Sequence, residues 1–118
     1  LFPTNGTTLS TSARTDLTAF ASSLLNNPET NVQIFGFTDN TGSMAVNERV
    51  ATGRADAVRN YLLNSGVSAS RLSAEGIPMA DYVASNATPE GRAQNRRVEI
   101  YISANQQMIQ QAQAETLQ

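Results

Sequence analysis

Residues 31–61 constrain the fold more than any other stretch, because an apolar strand there leads into a long helix through a loop of small polar residues. Residues 32–38 alternate from side to side as strands do, with apolar groups on both faces, which indicates an inner strand covered by helices. Helical spacing resumes at about Ala45, and Gly66 is well placed to end that helix. A strand followed directly by a long helix predicts a domain of the α/β kind.

Helical and extended patterns also alternate through the rest of the chain. Ser10 or Thr11 can cap a helix that carries one apolar face and stops at Pro28. Extended patterns follow at residues 72–76 and 96–103, and residues 1–2 look like the end of another strand. The predicted fold class is therefore α/β, in an α+β two-layer form. Its elements follow the order β-α-β-α-β-β in a mixed sheet with helices packed on it, and parallel strands are expected to have right-handed crossovers.

The chain of 118 residues is long enough for one domain with a single core, which we place at residues 1–103. The Gln-rich tail, residues 104–118, is weakly amphipathic through Met108, Ile109 and Leu117. We predict that this tail is a helix that covers the edge of the domain or continues toward missing sequence. Because the chain begins with Leu1 rather than Met, we also expect an upstream anchor or domain to be missing.

Composition argues against several classes of function. The net charge is −2 and lysine is absent, whereas nucleic-acid binding depends on many cationic contacts to phosphate. Without histidine or cysteine, the chain lacks disulfides, thiol nucleophiles, imidazole bases and the usual zinc or copper ligands. We therefore predict no cofactor and no metal. No apolar run approaches the roughly 20 residues that span a bilayer, so membrane contact is expected only through missing upstream sequence.

Two local motifs fail when their spacing is checked. The loop that begins at Asp39 resembles a calcium loop, but an EF-hand needs glycine at its sixth position and glutamate at its twelfth. Here Gly42 is the fourth residue and Val50 is the twelfth. Residues 51–54 contain a glycine but lack the lysine and the spacing of a phosphate loop.

Catalysis would depend on Asp39 or Glu75 as a base, without a visible nucleophile.

Asp39 at the carboxyl end of the strand and Arg54 on the following helix form the sharpest candidate site. Opposite charges on either side of a crevice suit a zwitterion, whose ammonium would bind Asp39 and whose carboxylate would bind Arg54. The amides of Thr41 and Gly42 could bind the same carboxylate, and Asn47 could add a neutral contact. A structural alternative stays open, in which Asp39 caps the loop or pairs with Arg54. Most of the other arginines considered are predicted to be solvated charges: Arg49, Arg59, Arg71 and Arg92.

Several motifs in a consistent order resemble one family. They are GFTDNTG at residues 36–42, NER at 47–49, RA at 54–55 and GRAQNRRVEI at 91–100. Together they resemble the OmpA-like C-terminal domain, the peptidoglycan-binding module of outer-membrane protein A, the peptidoglycan-associated lipoprotein and MotB. The resemblance runs from Phe2 to about Ser103. The chain departs from the family pattern at Phe37, where histidine is usual, and at Pro3, where aspartate is common.

The resemblance implies a non-catalytic periplasmic domain, attached to the outer membrane or envelope of a Gram-negative-type bacterium. Such a domain binds the peptide stem of peptidoglycan at its meso-diaminopimelate residue. By the same resemblance, Asp39 and Arg54 would hold the zwitterionic end of diaminopimelate, and Asn5, Asn47 and Arg96 would line the pocket.

Two other hypotheses are kept beside wall binding. The first is an OmpA-fold scaffold or oligomerisation domain that no longer binds the wall and uses the Gln-rich tail as its contact. The second is a small hydrolase that acts on wall peptides. Retention on insoluble peptidoglycan distinguishes wall binding from the scaffold, and incubation with soluble muropeptides tests the hydrolase.

Overall fold

The computed structural model describes residues 2–104. These residues form a three-stranded mixed sheet in the order β2-β1-β3, in which β1 runs parallel to β2 and antiparallel to β3. The predicted fold class, a mixed sheet with helices packed on it, is confirmed. Along the chain the elements are α1 (Thr11–Asn26), β1 (Thr30–Phe37), α2 (Met44–Asn64), a 3-10 helix (Ala69–Arg71), β2 (Leu72–Ile77), α3 (Pro89–Asn95) and β3 (Val98–Ala104).

Capping side chains and a glycine set where the helices begin and end. The Ser10 hydroxyl accepts a hydrogen bond from the Ala13 amide at 3.1 Å, which confirms the predicted cap of α1. Ser43 caps α2 in the same way through the Val46 amide at 3.3 Å. After α2, Gly66 adopts a φ of 103°, a conformation that glycine reaches without steric cost and that stops the helix.

Glycine at two positions lets α2 lie directly on the sheet. A Cβ atom at Gly36 of β1 would collide with the carbonyl oxygen of Ala51, and one at Gly76 of β2 would collide with the backbone of Thr52. The close approach brings the middle of α2 to the carboxyl end of β1. Beside it, α1 and α2 share one core with the inner face of the sheet: Leu17, Ala21, Leu24, Val32, Ile34, Ala55, Val58, Leu62, Val67 and Leu72.

β1 is the central strand, but the prediction that helices cover both of its faces is wrong for the described part of the chain. Both long helices pack against the face that carries Val32 and Ile34. On the opposite face, the Phe35 ring meets Tyr101 edge-on with centroids 5.6 Å apart. The Arg97 guanidinium lies 3.9 Å from the centroid of the Phe37 ring. Side chains of β3 and its flank therefore cover the apolar groups on this face, where no helix of the described chain packs.

The predicted strand at residues 1–2 is not found at Phe2, which lies outside the sheet; Leu1 is outside the described residues. Phe2 is buried under the guanidinium of Arg54, which lies 5.1 Å from its ring centroid. Pro3 has no amide hydrogen to give to a strand ladder, so extended pairing cannot continue there.

The predicted helical tail, residues 104–118, lies outside the described residues except for Ala104, which belongs to β3. No helix within residues 2–104 combines the length and the apolar character needed to cross a membrane.

Candidate functional site

Three separate parts of the chain meet at the carboxyl end of β1. The loop after β1 brings Asp39, α2 brings Asn47 and Arg54, and the segment between α3 and β3 brings Arg96. The turn at residues 3–6 closes over them from the N-terminal side. Charged residues from distant parts of the sequence are thus collected at a strand end, the usual place for a ligand in an open sheet.

Arg54 is almost fully buried, with 1% of its surface exposed, and its guanidinium binds backbone carbonyl groups from two segments. Nε donates to Gly6 at 2.8 Å and Nη2 donates to Pro3 at 2.9 Å, which fastens the N-terminal turn to α2. Nη1 donates to the carbonyl oxygen of Phe37 at 2.8 Å, at the last residue of β1. Arg54 is therefore a structural clamp in addition to its predicted role as a ligand contact.

Asp39 pairs with Arg96 rather than with Arg54. Its Oδ2 lies 2.8 Å from Nη1 of Arg96, and its Oδ1 accepts a hydrogen bond from the Thr41 amide at 2.8 Å. Arg96 also donates from Nε to the carbonyl oxygen of Phe2 at 2.7 Å. Of the two structural alternatives, the loop cap is present through Thr41, whereas the ion pair has a different partner from the one expected.

The charges of this cluster do not balance, since two guanidinium groups surround one carboxylate. Burial by itself raises the pKa of Asp39, but hydrogen bonds from Thr41 and Arg96 outweigh it and hold the pKa below its ordinary value. Burial, with a smaller contribution from Arg96, lowers the pKa of Arg54 to about 10, while Asp39 opposes that change. Asp39 and Arg54 are therefore both ionised at neutral pH. Together with the guanidinium of Arg96, the cluster carries a surplus positive charge that favours a bound anion.

The remaining predicted site residues surround this cluster in different ways. Asn47 is buried and donates from Nδ2 to the carbonyl groups of Thr41 at 2.7 Å and Ser43 at 2.8 Å, which fixes the loop that carries Asp39. The Thr41 amide already donates to Oδ1 of Asp39, so a ligand carboxylate would compete with Asp39 for this amide. Gly42 is exposed, with a φ of 86°, and Asn5 is exposed in the N-terminal turn with a φ of 60°.

The structural roles of two polar side chains were not predicted from the sequence. Arg71, predicted to be a solvated charge, instead donates to the carbonyl groups of Leu24, Asn27 and Thr30 at 2.8 to 2.9 Å. Asn95 is fully buried and holds the loop before α3 through the Val83 amide at 2.8 Å and the amide and carbonyl of Ala84 at 3.0 Å. Their contacts do not follow from sequence patterns, because their partners are set by how other segments pack.

The metal prediction also concerns this region. Within residues 2–104, no three His, Cys, Asp or Glu side chains are grouped so as to hold a metal ion. Every buried side-chain nitrogen or oxygen atom in the same range has a hydrogen-bond partner.

Comparison with known proteins places this chain and its fold in one class. The chain is 43% identical over 102 residues to the probable lipoprotein YiaD of Escherichia coli (strain K12), which covers 86% of this chain and 47% of YiaD. It is 46% identical over 76 residues to the peptidoglycan-binding protein ArfA of Mycobacterium tuberculosis (strain ATCC 25618 / H37Rv), which covers 64% of this chain and 23% of ArfA. The chain thus spans less than half of YiaD and less than a quarter of ArfA.

A solved structure shows the same arrangement of elements. The crystal structure of the peptidoglycan-associated lipoprotein from Burkholderia pseudomallei superposes with a TM-score of 0.83 at 26% sequence identity, over 86% of each chain. The sequence model described as the OmpA family matches residues 1–96. The chain therefore belongs to the OmpA family.

Proposed function

We propose that this domain binds peptidoglycan non-covalently through the meso-diaminopimelate of the stem peptide, and so anchors an envelope protein to the wall from the periplasm. The surplus positive charge of the cluster formed by Asp39, Arg54 and Arg96 carries the proposal. The names of two relatives support it, because ArfA is a peptidoglycan-binding protein and the Burkholderia structure is of a peptidoglycan-associated lipoprotein.

The cluster has hydrogen-bonding capacity left for a zwitterion. A carboxylate offers about four acceptor positions, and Asp39 uses one for Thr41 and one for Arg96, so an ammonium can bind without displacing either. A guanidinium has five N–H donors, and Arg54 uses three of them on backbone carbonyl groups. The remaining donors, together with Arg96, suit the ligand carboxylate.

Access to these groups is restricted, since Asp39 and Arg54 are 3% and 1% exposed. Binding therefore requires a shift of one of the neighbouring turns, at residues 3–6 or 40–42. Asn5, Thr41 and Gly42 are among the exposed residues of those turns and would contact the incoming ligand. Asn47 would act by holding the loop in position, since both of its amide hydrogens are engaged there.

The same chemistry favours binding over catalysis. The pKa of Asp39 is below its ordinary value, and its carboxylate already accepts hydrogen bonds from Thr41 and Arg96. Asp39 is therefore a weak base near neutral pH. The chain has no histidine or cysteine to serve as a nucleophile or its partner. We therefore propose a binding module rather than a hydrolase of wall peptides.

The proposal is tested by calorimetric titration of the domain with free meso-diaminopimelate, with lysine as the control that lacks the second amino-acid end. Saturable binding is expected for meso-diaminopimelate and not for lysine. Asp39→Asn keeps the size of the side chain and removes its charge, and a hydrogen bond to a charged group is worth about 1.5 to 3 kcal/mol. The variant should therefore bind roughly ten- to a hundredfold more weakly.

Glu99→Gln is the matched control, because Glu99 forms an ion pair with Arg97 at 2.7 Å on the open face of the sheet. It removes one paired carboxylate away from the cluster and should leave the affinity unchanged. Equal losses in both variants, with both still folded by circular dichroism, would contradict the site assignment.

The scaffold hypothesis remains the second candidate, favoured by the internal pairing of Asp39 with Arg96 and of Arg54 with three carbonyl groups. It predicts no retention on insoluble peptidoglycan and a self-associating domain by sedimentation. If the domain binds neither meso-diaminopimelate nor intact peptidoglycan, the result would support the scaffold hypothesis and exclude wall binding.

A further inference from the structure

A concave surface lies between the N-terminal turn and α2. It is a cleft of about 520 Å³ between that turn and one face of α2, lined by Asn5, Thr7, Val46, Arg49, Val50 and Gly53. We call it the Arg49 cleft. Its four helical residues recur at steps of three and four, so they form one face of α2, next to the face that carries Asn47 and Arg54.

The turn packs directly on α2 and forms one wall of the cleft. A Cβ atom at Gly53 would lie 2.9 Å from the Cγ2 atom of Thr7, so Thr7 rests directly on the helix backbone there. The carbonyl of Gly6, between Asn5 and Thr7, is held by Arg54 at 2.8 Å. The wall of the Arg49 cleft and the cover of the buried cluster are therefore the same turn.

Arg49 is the one ionised residue among the six that line the cleft. It is exposed and makes no hydrogen bond or ion pair with residues 2–104, in contrast to Arg54, Arg71 and Arg96, which are all engaged. An unpaired guanidinium in a concave surface without an acidic neighbour in its lining attracts an anion, and a planar carboxylate matches its geometry.

The N-terminal turn connects this cation to the candidate site, because it lines the Arg49 cleft and also accepts hydrogen bonds from Arg54. Arg49 and Arg54 are five residues apart, which is a rise of about 7.5 Å along α2 and a turn of about 140° around it, so a ligand that reaches both must cross this turn. A peptide whose diaminopimelate occupies the buried cluster can thus place a carboxylate of a neighbouring residue over Arg49. We propose that the Arg49 cleft is a second subsite, which binds a carboxylate of the stem peptide outside diaminopimelate; this inference rests on the proposed function.

The test compares two ligands by calorimetry: free meso-diaminopimelate and the tripeptide L-Ala-γ-D-Glu-meso-diaminopimelate, whose glutamate keeps a free α-carboxylate. The parent domain should bind the tripeptide about three- to fivefold more tightly, the gain expected from an exposed ion pair. Arg49→Gln should remove that gain and leave the affinity for free meso-diaminopimelate unchanged. Arg14→Gln, which removes an exposed arginine from α1, controls for net charge and should keep the gain.

Each other outcome overturns the proposal in a recognisable way. If the parent binds both ligands equally, or if Arg49→Gln keeps the preference for the tripeptide, the second subsite is absent while the proposed function stands. Equal weakening of both ligands by Arg49→Gln would assign Arg49 to the diaminopimelate site instead. A parent domain that binds neither ligand would overturn the proposed function, and the Arg49 subsite with it.

Discussion

β1 is held at each of its ends by a guanidinium that donates to backbone carbonyl groups of other segments. At the start of the strand, Arg71 joins Thr30 to the end of α1 at Leu24 and Asn27. At the carboxyl end, Arg54 joins Phe37 to the N-terminal turn at Pro3 and Gly6. At both ends of the central strand, an arginine thus donates hydrogen bonds to three carbonyl groups and joins the strand to another segment.

The two ends differ in burial and in charge. Arg71 is half-buried and its partners are neutral carbonyl groups and the Thr30 hydroxyl. Arg54 is 1% exposed, and its pKa is lowered by burial and by Arg96, with Asp39 acting in the opposite direction. A carbonyl clamp alone is therefore a structural feature. The buried surplus charge is what distinguishes the carboxyl end as a candidate ligand site.

The largest effect is expected for Arg54→Ala. The substitution leaves three carbonyl groups without their donor and opens space under the N-terminal turn, so we expect a loss of about 3 to 5 kcal/mol in the free energy of unfolding. Urea denaturation followed by circular dichroism measures it. A loss below about 1 kcal/mol would show that the clamp contributes little and that Arg54 is retained for binding. Because of this structural role, Arg54→Ala cannot serve by itself as a test of ligand binding.

A smaller loss is expected for Arg71→Ala, about 1 to 2 kcal/mol by the same measurement, because water can replace a half-buried donor at its acceptors. Arg14→Ala, on an exposed position of α1, is the control and should change stability by no more than about 0.5 kcal/mol. If Arg71→Ala destabilised the domain as much as Arg54→Ala, burial would not be what separates the two ends.

The smallest effect is a pH dependence that belongs to the carboxyl end. The pKa of Asp39 is below its ordinary value in the folded state, so its ionised form contributes stability above the unfolded pKa of about 3.9. That contribution is lost as the pH falls through the lower folded value. Between a pH of about 5 and about 3, Asp39→Asn should therefore lose less stability than the parent in urea titrations. Parallel curves for the two proteins would mean that Asp39 has the same pKa folded and unfolded.

Glu99 provides the matched comparison for that titration. The hydrogen bond from Tyr101 at 2.6 Å and the ion pair with Arg97 lower its pKa as well, on the open face of the sheet. Glu99→Gln should also flatten the acid limb of the stability curve, while the affinity for meso-diaminopimelate stays at its parent value. The two carboxylates are thus expected to behave alike in stability and differently in binding.

Sequence patterns predicted the parts of this domain that depend on neighbouring residues. The periodicity of α1 and α2, the Ser10 cap and the end of α2 at Gly66 all depend on residues that are close together in the sequence. The structure confirms them. Coverage of the second face of β1 was predicted wrongly, because alternation reports that Phe35 and Phe37 are apolar but not what covers them. In the fold, Tyr101 of β3 contacts Phe35 and Arg97, just before β3, contacts Phe37, each from at least 60 positions away.

By itself, the sequence determined the order of α1, β1, α2, β2 and β3, but not the short helix α3 between the last two strands. It also determined the absence of thiol and imidazole chemistry and the OmpA-family motifs that contain Asp39 and Arg54. Only the tertiary structure decided that Asp39 pairs with Arg96, 57 positions away, and that Arg54 clamps Pro3, 51 positions away. The reason is physical. A charge takes the partner that packing brings within hydrogen-bonding distance, and burial then sets how strongly the two interact, neither of which is encoded in local spacing.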